Sequence, residues 1–389
     1  MIFSDSRNKK REVLYMKNYR KSRWSALAAL LLAGVLSAGT IVQAAETQES
    51  ENAETQTAET EDTGTQDGEG GAAGGTYAFI SKSLDNPYNF AMADGFQEVI
   101  EAAGGECVIN HPMNPYADDQ ITIIDSLISQ QVDAIAIAAN DETRLTESLN
   151  EAKEAGIQVI TLDSDTDHTA RATFCNQADT ELIARAMMDA VYDIAGGEGE
   201  YAILSTTTYA TNQNAWLDAM DEIAASDEKY SGLTLVDIAY GEDKADESAA
   251  KTQDLMEAHP DLKVICALTS AGITSAAKTL AEAGSSVKIT GLGMPSEMEE
   301  YIGTGEDTPC PYVYLWNPVD LGRLAAGTCM SLVSGEITGQ AGDTVTVDGV
   351  EGSPFEITAM PGDPQATEIV LGSMTCFTPD NIAEWTDVF

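Results

Sequence analysis

The chain is poor in the residues on which most enzymes and nucleic-acid binders depend. It holds three histidines, His111, His168 and His259, with no metal-ligand spacing among them. It has no Gly-x-Ser-x-Gly elbow and no glycine-rich phosphate loop after a strand-like run. Hydrolytic, metal-assisted and nucleotide-dependent chemistry therefore lack their usual residues, and no catalytic residue, metal or cofactor is expected. Positive charge is scarce as well: 20 Lys and Arg stand against 64 Asp and Glu. Eight of the basic and two of the acidic residues precede Ala45, so the remainder carries 12 basic and 62 acidic side chains, a net charge of −50. Such a field repels phosphate backbones and anionic lipid, which excludes nucleic acid as a partner. The six cysteines (Cys107, Cys175, Cys266, Cys310, Cys329, Cys376) are scattered, several of them inside apolar strand-like runs such as Val264 to Leu268. That spacing is not a stapled scaffold and reads as free buried thiols.

Basic residues from Arg7 to Arg23, an apolar run from Trp24 to Ala38 and the small-x-small sequence Val42-Gln43-Ala44 read as an export signal over residues 1–44. The stretch from Trp24 to Ala45 approaches the roughly 20 residues of a membrane span, and the cleavage-like site favours a removable leader over an anchor. Thr40 follows Ser37-Ala38-Gly39 where a lipid-bearing cysteine would stand, so no thioether lipid can form there. Residues 45–75 are Glu, Thr, Gln, Gly and Ala with almost no large apolar side chain, an acidic linker that cannot offset its ordering entropy. The protein is expected to be exported, to the periplasm or the extracellular face of the envelope.

From Thr76 onward, strand and helix patterns alternate. Tyr77 to Ser81 reads as a strand, Tyr88 to Ala103 as a helix, Cys107 to Asn110 as a strand, and Asp118 to Gln131 as a helix with Ile121, Ile124, Leu127 and Ile128 on one face. The strand Ala134 to Ala138, the helix Glu142 to Ala155 and the strand Ile157 to Leu162 follow, and a second series runs from Ala172 to Leu315. This spacing predicts an α/β fold of right-handed βαβ units around parallel sheets, in two lobes. The expected division is 76–176 with 318–337 for lobe one, and 177–317 with 338–389 for lobe two. Val345 to Val350 and Ile369 to Leu371 read as short strands in a tail that crosses back between the lobes.

Ligands of open parallel sheets bind beyond the carboxyl ends of the strands. The polar and aromatic residues there are Lys82 with Asn86-Pro87-Tyr88-Asn89, then Asp163 and Asp165, Asn212 and Gln213, Thr269-Ser270 after Leu268, and Trp316-Asn317-Pro318. Carboxylates, amides and a lysine pair with neutral hydroxyls, and a flat aromatic face suits the C–H groups of a sugar ring. Each has a plainer reading taken singly: Asp163-Ser164-Asp165 as a solvated turn, Asn212 as a helix cap, Trp316 as core. Their common place at strand ends favours a cleft that grips a polyol. Two carboxylates two residues apart do not flank a glycosidic bond from opposite faces, which argues against a glycosidase.

Ile80-Ser81-Lys82, Asn86-Pro87-Tyr88, Leu162 to Thr166, Asn212 to Trp216 and Leu315 to Pro318 resemble the type I, ribose-binding-like periplasmic sugar-binding proteins of ABC importers, especially the branch of rhamnose- and autoinducer-2-binding proteins. The resemblance spans Thr76 to Phe389. It implies two Rossmann-like lobes joined by a three-crossover hinge, a small sugar bound by hinge closure, a membrane permease as partner, and a monomer. It also implies ligand contacts at Lys82, Asp163, Asn212, Gln213, Leu268 and Ser270. Asn212, Leu268 and Ser270 stand where the autoinducer-2 receptor has aspartate, proline and alanine, and the run from Trp316 to Gly322 is closer to the rhamnose-binding side. Autoinducer-2 reception and ligand sensing for a membrane kinase are the alternatives. A DNA-binding regulator of the same fold would need a basic DNA-reading headpiece, and the N-terminus reads as an export signal instead.

Overall fold

The computed structural model describes residues 74–389. The expected leader and nearly all of the linker lie outside them. Gly75, assigned to the linker, already belongs to the fold: its carbonyl accepts from the Glu106 amide at 2.8 Å. No helix among the described residues is long and apolar enough to cross a membrane.

The first lobe opens with β1 (Thr76–Ile80), α1 (Pro87–Ala102), β2 (Glu106–Asn110), α2 (Ala117–Gln130), β3 (Ala134–Ile137), α3 (Thr146–Glu154), β4 (Gln158–Leu162) and β5 (Phe174–Asn176). The second contains α4 (Thr180–Ala195), β6 (Gly199–Ser205), α5 (Thr211–Ser226), β7 (Leu233–Tyr240), α6 (Ala245–Ala258), β8 (Leu262–Ala267), α7 (Ser270–Ala283), β9 (Lys288–Gly291), α8 (Pro295–Met298) and β10 (Val313–Leu315). The chain then returns through α9 (Pro318–Ser334), β11 (Thr344–Val345), β12 (Phe355–Glu356), β13 (Thr358–Met360), β14 (Asp363–Val370) and β15 (Thr375–Phe377).

Strand order is β13-β14-β5-β4-β3-β1-β2 in one sheet and β7-β6-β8-β9 in the other, with β10 paired to β15. In each lobe the order reverses beside the first strand, between β1 and β3 and between β6 and β8, which opens a crevice at the carboxyl ends. Helices cover both faces of the first sheet. Tyr77 and Phe79 of β1 enter the large core with α1, while Ala78 and Ile80 enter a second core with Ile124 and Leu127 of α2. Burial on both sides is what makes β3, Ala-Ile-Ala-Ile, wholly apolar. α9 packs on α1 at a distance only glycine permits: a Cβ on Gly95 would lie 2.0 Å from the Val319 carbonyl oxygen, and one on Gly322 would lie 1.9 Å from that of Met92.

The chain passes between lobes three times, from β5 to α4, from β10 to α9 and from β14 to β15. The tail corrects the expected division. Residues 338–389 do not all belong with lobe two, because β14 joins the first sheet parallel to β5, with Glu368 opposite Phe174 and Val370 opposite Asn176. Of the tail strands, β15 alone pairs with β10. Val345 to Val350 is a strand only at Val345. The helix expected from Glu142 begins at Thr146, because the Asp141 carboxylate accepts from the amides of Thr143 and Arg144, both at 2.9 Å, and holds a turn there. All six cysteines are free. Burial pushes the Cys175 and Cys266 thiols up to about 12, so both behave as small apolar side chains.

Candidate functional site

β4 ends by turning Asp163 into the left-handed region, φ 61°. A residue with a Cβ adopts that conformation at a cost of about 1 kcal/mol, held here by surrounding structure. The Asp163 amide donates to the Cys175 carbonyl at 3.2 Å, and the Ser164 hydroxyl donates to that of Ala139. The turn aims the Asp163 carboxylate across the crevice. Its Oδ1 accepts from the Tyr88 hydroxyl at 2.9 Å and its Oδ2 from the Asn212 amide at 3.2 Å. The Tyr88 hydroxyl in turn accepts from Trp316 Nε1 at 2.6 Å. With both hydroxyl roles filled, Tyr88 positions Asp163 and holds Trp316 upright.

Lys82 follows β1 and donates from Nζ to Asn212 Oδ1 at 3.0 Å. Asn212 thus joins the lysine and the carboxylate of lobe one to the start of α5 in lobe two. Burial pulls the Lys82 ammonium below its usual range, opposed by the charges of Asp163 and Asp243. Burial likewise pushes the Asp163 carboxyl above its usual 3.8, opposed first by Lys82. Each charge limits the shift of the other. Gln213 spends its carbonyl oxygen on the Ser205 hydroxyl, 2.5 Å, and the Thr206 amide, 2.8 Å, which leaves its NH2 for the crevice. Asn89 donates to the Ser83 carbonyl at 2.9 Å, leaving its own carbonyl oxygen as the acceptor.

Lys82, Tyr88, Asn89, Asp163, Asn212, Gln213, Leu268, Ser270 and Trp316 all line one cavity of about 40 Å³ between the lobes. Two expected residues do not. Asp165, two positions past Asp163, is held in a fork by Arg171, at 2.6 Å from Nε and 2.5 Å from Nη2, and also accepts from the Thr161 hydroxyl. Arg171 itself donates to the Thr367 carbonyl at 2.8 Å, so this pair pins β14 to the sheet. Asn317 caps α9, its Oδ1 accepting from the Val319 amide at 3.0 Å and from that of Asp320. Both carry structure rather than the cavity.

The sequence reading missed Asp243. It lies in the loop after β7 with φ 52°, is buried, and accepts from Ser83 Oγ at 2.6 Å, Asn86 Nδ2 at 3.1 Å and Thr269 Oγ1 at 2.9 Å. Two of those donors belong to lobe one. The only sequence signal is its place after a strand, masked by the charged run Gly241-Glu242-Asp243-Lys244. Asp243 lines the cavity together with its donors Asn86 and Thr269, and Thr206, Trp216, Leu292 and Leu315, not assigned to the site from the sequence, complete the lining.

A family model described as the periplasmic binding protein domain matches residues 77–337. The chain belongs to the periplasmic binding proteins. Among solved structures, this periplasmic binding protein is similar to an ABC transporter solute-binding protein from Clostridium phytofermentas with bound L-rhamnose, at 49% identity and a TM-score of 0.79, over 81% of this chain and 99% of that one. A sugar ABC transporter protein from Actinomyces odontolyticus is 34% identical at a TM-score of 0.61, over 80% of this chain and 97% of that one. LsrB of Clostridium saccharobutylicum, in complex with AI-2, shares the fold at 23% identity and a TM-score of 0.73, over 80% of this chain and 99% of its own. Among curated proteins, the D-ribose/D-allose-binding protein of Pseudomonas aeruginosa is 27% identical over 55% of this chain and 69% of its own.

Proposed function

We propose that this periplasmic binding protein captures a neutral monosaccharide of the L-rhamnose type in the interlobe cavity and presents it, outside the cytoplasm and as a monomer, to the permease of an ABC importer, with no chemical conversion. Lys82, Asn89 and Asp163 hold the sugar from lobe one, and Asn212, Gln213 and Ser270 close on it from lobe two. The observation that carries the reading is the charged pair Lys82 and Asp163 bridged by Asn212 across the lobes, in a chain 49% identical to a protein with bound L-rhamnose. A charged acceptor, a charged donor and two oriented amides suit hydroxyls, each of which donates and accepts. Bonds that span the lobes are made only when they meet, so a ligand sharing those groups favours closure by its differential affinity.

A thermal-shift panel of L-rhamnose, other deoxysugars, hexoses, pentoses and autoinducer-2 tests the reading. A ligand at about 100 times its Kd adds roughly 2.7 kcal/mol, several degrees in melting temperature. A shift with deoxysugars is the expected result. A shift with autoinducer-2 alone would replace the sugar, and a flat panel would refute the reading.

A further inference from the structure

The cavity is two-faced, and its apolar half is continuous. Leu268, Leu292 and Leu315 stand at the carboxyl ends of β8, β9 and β10. Ala267 pairs with Gly291, which sets Leu268 beside Leu292, and Leu315, one residue past the Tyr314 that bridges to Leu292, lines the same cavity. Trp216 extends the wall, its ring 5.9 Å from that of Trp316 between centroids. All four are at most 3% exposed yet line the cavity. The leucine side chains offer neither donor nor acceptor, and two of their amides are committed, that of Leu268 to the Leu204 carbonyl and that of Leu292 to the Ala267 carbonyl, each at 2.9 Å.

A hydroxyl pressed against the three leucine side chains would lose water and gain no partner from them, whereas a methyl would lose nothing. The geometry points to the wall of Leu268, Leu292, Leu315 and Trp216 as the specificity element of the site, one that seats the C6 methyl of a 6-deoxyhexose and disfavours the hydroxymethyl of the matching hexose. This rests on the sugar-binding reading and goes further, because the polar half alone would serve hexose, pentose and deoxyhexose alike.

Three sugars that differ only at this substituent separate the possibilities: L-rhamnose carries a methyl, L-mannose a hydroxymethyl and L-lyxose a hydrogen. Calorimetric titration of the purified protein is expected to give L-rhamnose the tightest binding. L-lyxose should be weaker by about fourfold, the worth of one buried methyl, and L-mannose weaker by roughly tenfold to a hundredfold. Leu292→Asn, checked for folding by circular dichroism, should bring the ratio of L-rhamnose to L-mannose below about threefold by giving the hydroxyl a partner. Equal binding of L-rhamnose and L-mannose by the unaltered protein would overturn the wall while leaving the sugar reading intact. Absence of binding by all three would overturn both.

Discussion

Asp163 and Asp243 are buried carboxylates on opposite lobes, each at the end of a strand and each in the left-handed backbone region, with φ of 61° and 52°. Their surroundings differ in one respect that separates their roles. Asp243 accepts from three protein donors, two of them from the facing lobe, although it too lines the cavity. Asp163 has two, a tyrosine of its own lobe and Asn212 of the other, and lies in the field of Lys82. A carboxylate has about four acceptor positions. Asp243 therefore spends most of its capacity on closing the protein on itself, and Asp163 retains more of its own for a ligand.

Breaking the second of these roles should have the largest effect on binding. Asp163→Ala is expected to weaken sugar affinity by about 2–4 kcal/mol, the worth of charge-assisted bonds offset by water, read by calorimetry. Asp165, its neighbour in sequence, supplies the control. Asp165→Ala leaves the Arg171 side chain, 1% exposed, without its partner and should cost about 3 kcal/mol of stability, seen as a lower melting temperature with sugar affinity close to that of the unaltered protein. Asp243→Ala should weaken closure by roughly 1–2 kcal/mol, raising the Kd of every ligand by one common factor, because the lost bonds are between lobes rather than to the ligand.

The smallest effect concerns pH. Burial raises the Asp163 carboxyl above 3.8, and a sugar that needs the carboxylate as acceptor binds less well once it is protonated. Affinity should therefore begin to fall, as the solution is acidified, at a higher pH than for an ordinary aspartate. Stability without sugar should run the other way over that window. The native state holds this proton more tightly than the unfolded chain, so stability contributed by the group declines as pH rises from the ordinary to the raised value. Calorimetric Kd and chemical denaturation between about pH 4 and 7 read the two slopes, and parallel slopes would contradict the assignment.

The comparison also explains what the sequence could say. Lys82, Asp163, Asn212 and Gln213 were legible because strand ends are legible: apolar runs such as Ala134–Ile137 and Gln158–Leu162 announce where a parallel sheet stops. Asp165 was misplaced because a two-residue step along a turn does not reveal orientation, and its partner Arg171 comes after the turn. Asp243 was missed because its role depends on donors far away in the chain, 160 residues for Ser83 and 157 for Asn86. β14 was assigned to the wrong lobe for the same reason, since its pairing with β5 is a long-range choice that local pattern does not encode. Local periodicity carried the layers, and long-range hydrogen bonds decided which polar groups belong to the cavity.

The most direct test of the account is a calorimetric titration of L-rhamnose into the unaltered protein and into Asp163→Ala and Asp243→Ala. The expected outcome is saturable binding, lost by about thirtyfold or more in the first variant and weakened less, by a factor shared with every other ligand, in the second. Unchanged affinity in Asp163→Ala would contradict the central claim that this carboxylate is the ligand's acceptor.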